Sequence, residues 1–278
     1  MENRSRSGFR TRLLVFFALA FAWSWICWLM SSFVKPQSPS LAGAFFLAGG
    51  FGPGIAAIAV VSYVGGRNGL RDWLVRCLQW RSGWRWLALA FFLPLAVMAL
   101  AAAAHVALGG TLAPSPAVGR VLVAAVNFVL ILLLGGPLGE EFGWRGYALP
   151  ALQERYGWRV ASLILGVVWG MWHLPLFYIA DTVQSYIPFA LFMLSTVALS
   201  ILFAWLFNHT RGSVLPALVL HTAVNGWAWA IPVMVMRADD NLRPYELTVA
   251  LLVLIALGLL RDTELQLPNK NFKGKFKI

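Results

Sequence analysis

Residues 13–34 read LLVFFALAFAWSWICWLMSSFV, an unbroken run without a single charged side chain. A helix needs about 20 mostly apolar residues to cross the hydrocarbon layer of a bilayer, and this stretch is long enough on its own. Arg4, Arg6, Arg10 and Arg12 precede it, as basic residues precede the apolar core of a signal peptide. The run is too long for that role and lacks a small-residue cleavage site, so the sequence predicts a retained first helix.

Working outward, the chain has 278 residues, of which 60% are hydrophobic and 12% charged, with 14 tryptophans. That balance excludes an ordinary soluble globular domain. Further apolar runs at 41–64, 87–108, 121–138, 160–180, 187–207, 213–236 and 246–260 bring the expected transmembrane helices to about eight. The connecting segments are too short for a separate soluble domain, and there is no internal repeat or low-complexity tract. The expectation is an all-α polytopic membrane protein, one domain over 1–278.

Alternating the helices from a cytoplasmic N-terminus puts most of the Lys and Arg inside. They come from the N-terminus, the 65–86 loop, the 139–159 segment, Arg211, and a tail with Arg261, Lys270, Lys273, Lys275 and Lys277. Lys35, Arg120, Arg237 and Arg243 alone fall outside. This asymmetry fits the positive-inside rule and predicts two cytoplasmic termini. The net charge of +11 sits beside membrane spans, so membrane lipids are the expected partner and nucleic acid is not. In the 65–86 loop, arginines alternate with Trp73, Trp80, Trp84 and Trp86, the pattern of an anchor in the interface. Cys27 and Cys77 are too differently placed to form a disulfide, and no cysteine-rich metal motif is present.

Ionisable groups inside a bilayer cost about 2.5–3.5 kcal/mol on insertion scales, so those that persist point to function. Of the 11 acidic residues, only Glu140 and Glu141 follow directly on an apolar span with no basic residue before them. His173 and His221 lie inside apolar runs. Glu141 and Arg145 are four apart, as are His221 and Asn225, so each pair shares a helical face. Pro175, two residues after His173, frees a carbonyl one turn back and bends the chain. Taken singly, each feature has a structural reading. The glutamates can be first-turn acids after Gly135-Gly136-Pro137, a lone buried histidine can be a packing residue, and Asn225 can be interhelical glue. Their combination on three spans is what points to a site.

Glu140-Glu141-Phe142-Gly143-Trp144-Arg145 matches EExxxR, and His221-Thr222-Ala223-Val224-Asn225 matches HxxxN. Between them, Trp169-Gly170-Met171-Trp172-His173 matches an aromatic-x-x-x-His motif, with Trp169 where phenylalanine is usual and aromatic packing as its expected role. In this order, over 120–230, the motifs resemble the CPBP family of intramembrane proteases (ABI-type), which includes CAAX prenyl endopeptidases and bacteriocin-processing enzymes.

The resemblance implies a glutamic-type membrane endopeptidase hydrolysing a peptide bond in a peptide, leader-peptide or lipid-modified (CAAX-like, prenylated) protein substrate. It makes Glu140 the general base with His173 polarising the same water, Glu141 and Arg145 the supporting pair, and His221 with Asn225 the oxyanion donors. The order of Glu140 and Glu141 stays open. No cofactor is expected on this reading. A zinc-dependent alternative would use Glu140, His173 and His221 as ligands. A non-catalytic reading makes the protein a bacteriocin self-immunity or scaffolding protein, and a further one makes it a proton-coupled carrier.

Counting residues along straight spans puts Glu140 near the inner surface and both histidines deeper. The motifs then meet only if the segment at 139–157 dips inward, which predicts a cytoplasm-facing cavity. Short loops and an Arg/Ala/Trp-rich composition suggest a bacterial inner (plasma) membrane.

Overall fold

The computed structural model describes residues 2–79 and 82–263; Trp80, Arg81 and the tail lysines lie outside the described residues. The first helix, α1 (Glu2–Val34), turns at residues 35–38 into α2 (Pro39–Gly49), started by Ser38 as N-cap and a proline at the first turn. The two helices run antiparallel, tied by Ser31 Oγ to Ala42 O at 2.8 Å and Ser24 Oγ to Gly49 O at 2.6 Å. Hydroxyls that bond backbone carbonyls satisfy themselves without water, which suits an apolar surround. A bend of 51° separates α2 from α3 (Gly52–Cys77).

The remaining helices are α4 (Trp84–Ala107), α5 (Val121–Leu134), α6 (Pro137–Gly143), α7 (Leu149–Trp172), α8 (Phe189–His209), α9 (Leu215–Ala230) and α10 (Arg243–Leu259). A π-helical turn, Trp144–Ala148, joins α6 to α7, and two 3-10 turns, Leu174–Tyr178 and Val183–Tyr186, join α7 to α8. No strand occurs among the described residues. The all-α expectation stands. Four helices or joined helices are long and apolar enough to cross a membrane, or up to five with α2 and α3 taken as one bent span. The expected count of about eight is not reached by that measure, because α5 has 14 residues, α9 has 16 and α10 has 17.

Two ends of the bundle are defined by contacts between distant segments. At one, Arg159 donates to Leu260 O at 2.8 Å, Trp205 to Asp262 at 2.9 Å, and Ser213 to Gln79 O. At the other, Lys35 pairs with Asp181 at 2.7 Å, Ser115 bonds Ala230 O, and Arg243 reaches Leu108 O. The helix α1 runs from the first end to the second, so its start and residues 260–262 share an end.

Two local readings need correction. The 65–86 segment is not wholly an interfacial loop: α3 runs through it with a break at Gly66 (φ 59°), and Trp73 is buried, donating to Gly146 O at 3.1 Å. The indole found a backbone acceptor in the π-helical turn between α6 and α7, which a buried N–H requires. Similarly, 139–159 is not a surface loop. From Pro137 it descends through the interior to a break at Gly157 (φ 72°), beside Arg159 at the first end. Arg145, expected near the surface, is 0% exposed.

Candidate active site

Gly136 has φ 104°, a left-handed conformation that glycine adopts without a Cβ penalty, and it caps α6 just before Pro137. The chain re-enters a helix here at depth, and three residues later Glu140 projects inward. Glycine is also needed for space, since a Cβ at Gly136 would stand 2.5 Å from Glu140 Oε1. On its other face α6 lies backbone to backbone on α3: a Cβ at Gly139 would be 2.6 Å from Gly50 O, and one at Gly143 would strike the Pro53 carbonyl. A small-xxx-small stripe therefore sets the position of the glutamates.

Glu140 Oε2 accepts the indole N–H of Trp169 at 2.6 Å. The carbonyl of Trp169 in turn lies 2.8 Å from His173 Nδ1. A carbonyl can only accept, so Nδ1 carries a proton and the neutral ring keeps its Nε2 lone pair free. Pro175 ends α7 here rather than bending it: the chain passes into the 3-10 turn, and Trp25 from α1 donates to Trp172 O at 2.9 Å.

Glu141 faces away from Glu140, as adjacent helical residues must. Its Oε1 accepts Arg145 Nη1 at 2.8 Å and His221 Nδ1 at 2.8 Å, with both Glu141 and Arg145 0% exposed. The guanidinium carbon stands 3.8 Å from the Phe203 ring centroid and 4.8 Å from that of Trp169. Cation–π contacts of this kind offset part of its desolvation. The Trp169 ring centroid is 5.9 Å from that of His173 and 5.6 Å from that of His221, so the indole stands between the two imidazoles. Asn225, one turn beyond His221, is half-buried, and its Nδ2 is 3.4 Å from Gly135 O.

Glu140, Trp169, His173, His221 and Asn225 all line one cavity of about 1430 Å³. Glu141 and Arg145 sit behind its wall. The six residues expected from the motifs thus come together in two layers. The role of Trp169 was missed, because an indole in an aromatic position reads as packing until its N–H is seen to have a carboxylate partner. The cavity opens at one end of the bundle. Its exposed rim is Lys35, Thr111, Asp181, Arg237 and Asp239, all at the second end, and the segment descending from Glu140 closes the first.

The zinc alternative was tested on the donor set. No three His, Cys, Asp or Glu side chains among the described residues are grouped to hold a metal ion. Glu140 bonds Trp169 through Oε2 and His221 bonds Glu141 through Nδ1.

Residues 122–227 match the family described as type II CAAX prenyl endopeptidase, Rce1-like. The resemblance read from the three motifs is shown for this region. Over 103 residues the chain is 37% identical to the CAAX prenyl protease 2 of Methanococcus maripaludis. That alignment covers 35% of this chain and 38% of the relative, so the chain spans well under half the length of the curated relative it matches. The CAAX endopeptidase-like region contains every residue of the two-layered site and all of the broken span that carries Glu140. The helices α1, α2 and α4, which contribute to the cavity wall, lie before the match.

Proposed function

We propose that the protein is an intramembrane endopeptidase that hydrolyses a peptide bond in an apolar or lipid-modified peptide tail, by a metal-free glutamate mechanism. The observation that carries this reading is that Trp169 holds Glu140 through its indole and His173 through its carbonyl, aiming both at the floor of one cavity.

In this mechanism a water bonds Glu140 Oε1, the oxygen not taken by Trp169, and His173 Nε2. Glu140 removes its proton as the oxygen adds to the scissile carbonyl. The same proton then passes to the departing amine as the C–N bond breaks, which leaves a carboxylic acid and an amine. Asn225 is the oxyanion donor that needs no added proton. His221 donates through Nε2 only as imidazolium, a cation for which Glu141 is the buried counter-ion. Arg145 pairs with Glu141 and holds it in place. A prenylated or otherwise lipid-modified substrate suits the apolar walls, which include Phe46, Leu47, Met98 and Met234. The plasma membrane, with both termini cytoplasmic, is the proposed location.

The test is cleavage of a quenched peptide library by the purified protein in detergent. Glu140→Gln and His173→Ala should abolish products seen by mass spectrometry while the variants remain folded. Undiminished cleavage by both variants would rule out the assignment.

A further inference from the structure

We infer that Trp25 and Trp28 of α1 are positioning residues for His173: Trp25 caps the helix end that carries it and Trp28 walls its ring, so that Nε2 is held toward the water shared with Glu140. The kinetic consequence rests on the endopeptidase reading of the cavity. Both tryptophans precede residues 122–227, so they belong neither to the three motifs nor to the matched region.

The backbone at the end of α7 releases two carbonyls. In a continuing α-helix Trp169 O would accept His173 N, and Trp172 O would accept Leu176 N. Here His173 N donates to Gly170 O at 3.2 Å and Leu176 N to His173 O at 2.9 Å, each three residues back. Pro175 has no N–H to give. A carbonyl left bare inside a bilayer is costly, because no water is at hand to satisfy it. Two side chains fill the gap: His173 Nδ1 takes Trp169 O at 2.8 Å, and the Trp25 indole takes Trp172 O at 2.9 Å. Without Trp25, the turn gains by resuming its own ladder. His173 N then competes with Nδ1 for Trp169 O, and the imidazole loses its anchor.

Rings confine the imidazole from three helices. Trp28 is 3% exposed, and its N–H reaches Phe46 O of α2 at 3.2 Å, which fixes the indole. Its ring centroid stands 4.7 Å from that of Trp172 and 6.3 Å from that of His173, with 25° between the Trp28 and imidazole planes. Trp172 stands edge-on to His173 at 4.7 Å, and Phe192 of α8 stands at 5.0 Å. An imidazole so enclosed cannot turn without displacing a neighbour. In the sequence Trp25 and Trp28 are two tryptophans three apart in an apolar span, sharing a helical face and nothing more.

The experiment compares three variants of the full chain in detergent. Trp25→Phe removes the donor to Trp172 O, and Trp28→Leu removes the ring beside His173. Trp23→Phe is the matched control, since it removes a similar indole bond, to Ala48 O at 2.9 Å, on the same helix but outside the cavity wall. The tautomer of His173 is read by NMR of ring-labelled histidine, its signal assigned by its loss in His173→Gln. The parent should show the Nδ1–H tautomer. In Trp25→Phe and Trp28→Leu that signal should give way to a mixture of tautomers, and kcat for peptide cleavage should fall about tenfold at nearly constant KM. Trp23→Phe should keep the parent tautomer, kcat and KM. A variant that behaves as Trp23→Phe removes its residue from the assignment, and if both do the inference is overturned. A fall in kcat that only tracks the thermal midpoint, with the tautomer unchanged, overturns it equally. Should Trp28→Leu fail to fold, Trp25→Phe decides. If the parent cleaves no peptide, the endopeptidase reading fails and the tautomer alone decides whether α1 positions His173.

Discussion

Trp169 donates its indole N–H to Glu140 at 2.6 Å, and this bond joins a residue of α7 to the acid that α6 presents to the cavity. A hydrogen bond to a charged acceptor in a buried setting contributes about 1.5–3 kcal/mol. Trp169→Phe keeps an aromatic ring and removes only the donor. Cleavage should fall about ten- to a hundredfold, at a tenfold loss per 1.36 kcal/mol, with little change in KM. The measurement is kcat for the two proteins, with the thermal midpoint as control. An unchanged kcat would return Trp169 to a packing role.

The two glutamates should separate by stability. Glu141 balances the Arg145 guanidinium where both are 0% exposed. Removing one partner of a buried pair leaves a bare charge and costs about 3–5 kcal/mol. Glu141→Gln should therefore lower the unfolding midpoint strongly, while Glu140→Gln, whose amide oxygen still accepts from Trp169, should change stability by under ~1 kcal/mol and remove activity. The opposite ranking would exchange the roles of the acids.

Packing of α6 on α3 should be intolerant at its glycines. Gly143→Ala drives a methyl group into the Pro53 carbonyl, and overpacking of this kind costs about 1–3 kcal/mol. Because α6 carries Glu140, cleavage should drop along with the thermal midpoint. Gly258→Ala, where a Cβ meets nothing within 4 Å, is the control and should leave both unchanged.

Chelation should leave the protein active. No three His, Cys, Asp or Glu side chains among the described residues are grouped to hold a metal ion, so incubation with 1,10-phenanthroline or EDTA followed by desalting should not reduce peptide cleavage. A loss restored by zinc would replace the water-activation scheme.

At the cavity mouth, the hydrogen bond and charge of Lys35 hold the Asp181 carboxyl below its ordinary range. A depressed carboxylate stabilises the fold above the unfolded-state pKa, and the contribution is lost as pH falls through the lowered folded value. Both side chains are open to water, so screening leaves the pair little influence on stability. Asp181→Asn should thus melt with the parent protein at neutral pH, and any small difference should shrink as pH falls below about 4. A large shift in midpoint would mean that the pair clamps the mouth shut.

Much of the site was legible from spacing. The pair Glu141 and Arg145 was readable because an i, i+4 contact is fixed by helical geometry whatever surrounds it. The shared face of His221 and Asn225 followed in the same way. The bond from His221 to Glu141 was not readable, since it spans 80 residues of sequence and depends on how α9 packs on α6. Counting along straight spans left Glu140 near the surface unless the 139–157 segment dips inward, and it does: the Gly135-Gly136-Pro137 break starts a new helix inside the bundle.

By itself the sequence determined an all-helical membrane class, the order of three polar motifs, and the charge asymmetry along the chain. Composition and helical period settle these locally. Only the tertiary structure decided that Trp169 links Glu140 to His173, that Arg145 is buried behind the cavity wall, and that the cavity opens at the end bearing Lys35 and Asp181. In a bilayer, lipid-facing and core-facing residues are alike apolar, so hydropathy places a span but carries no information on which face meets which neighbour.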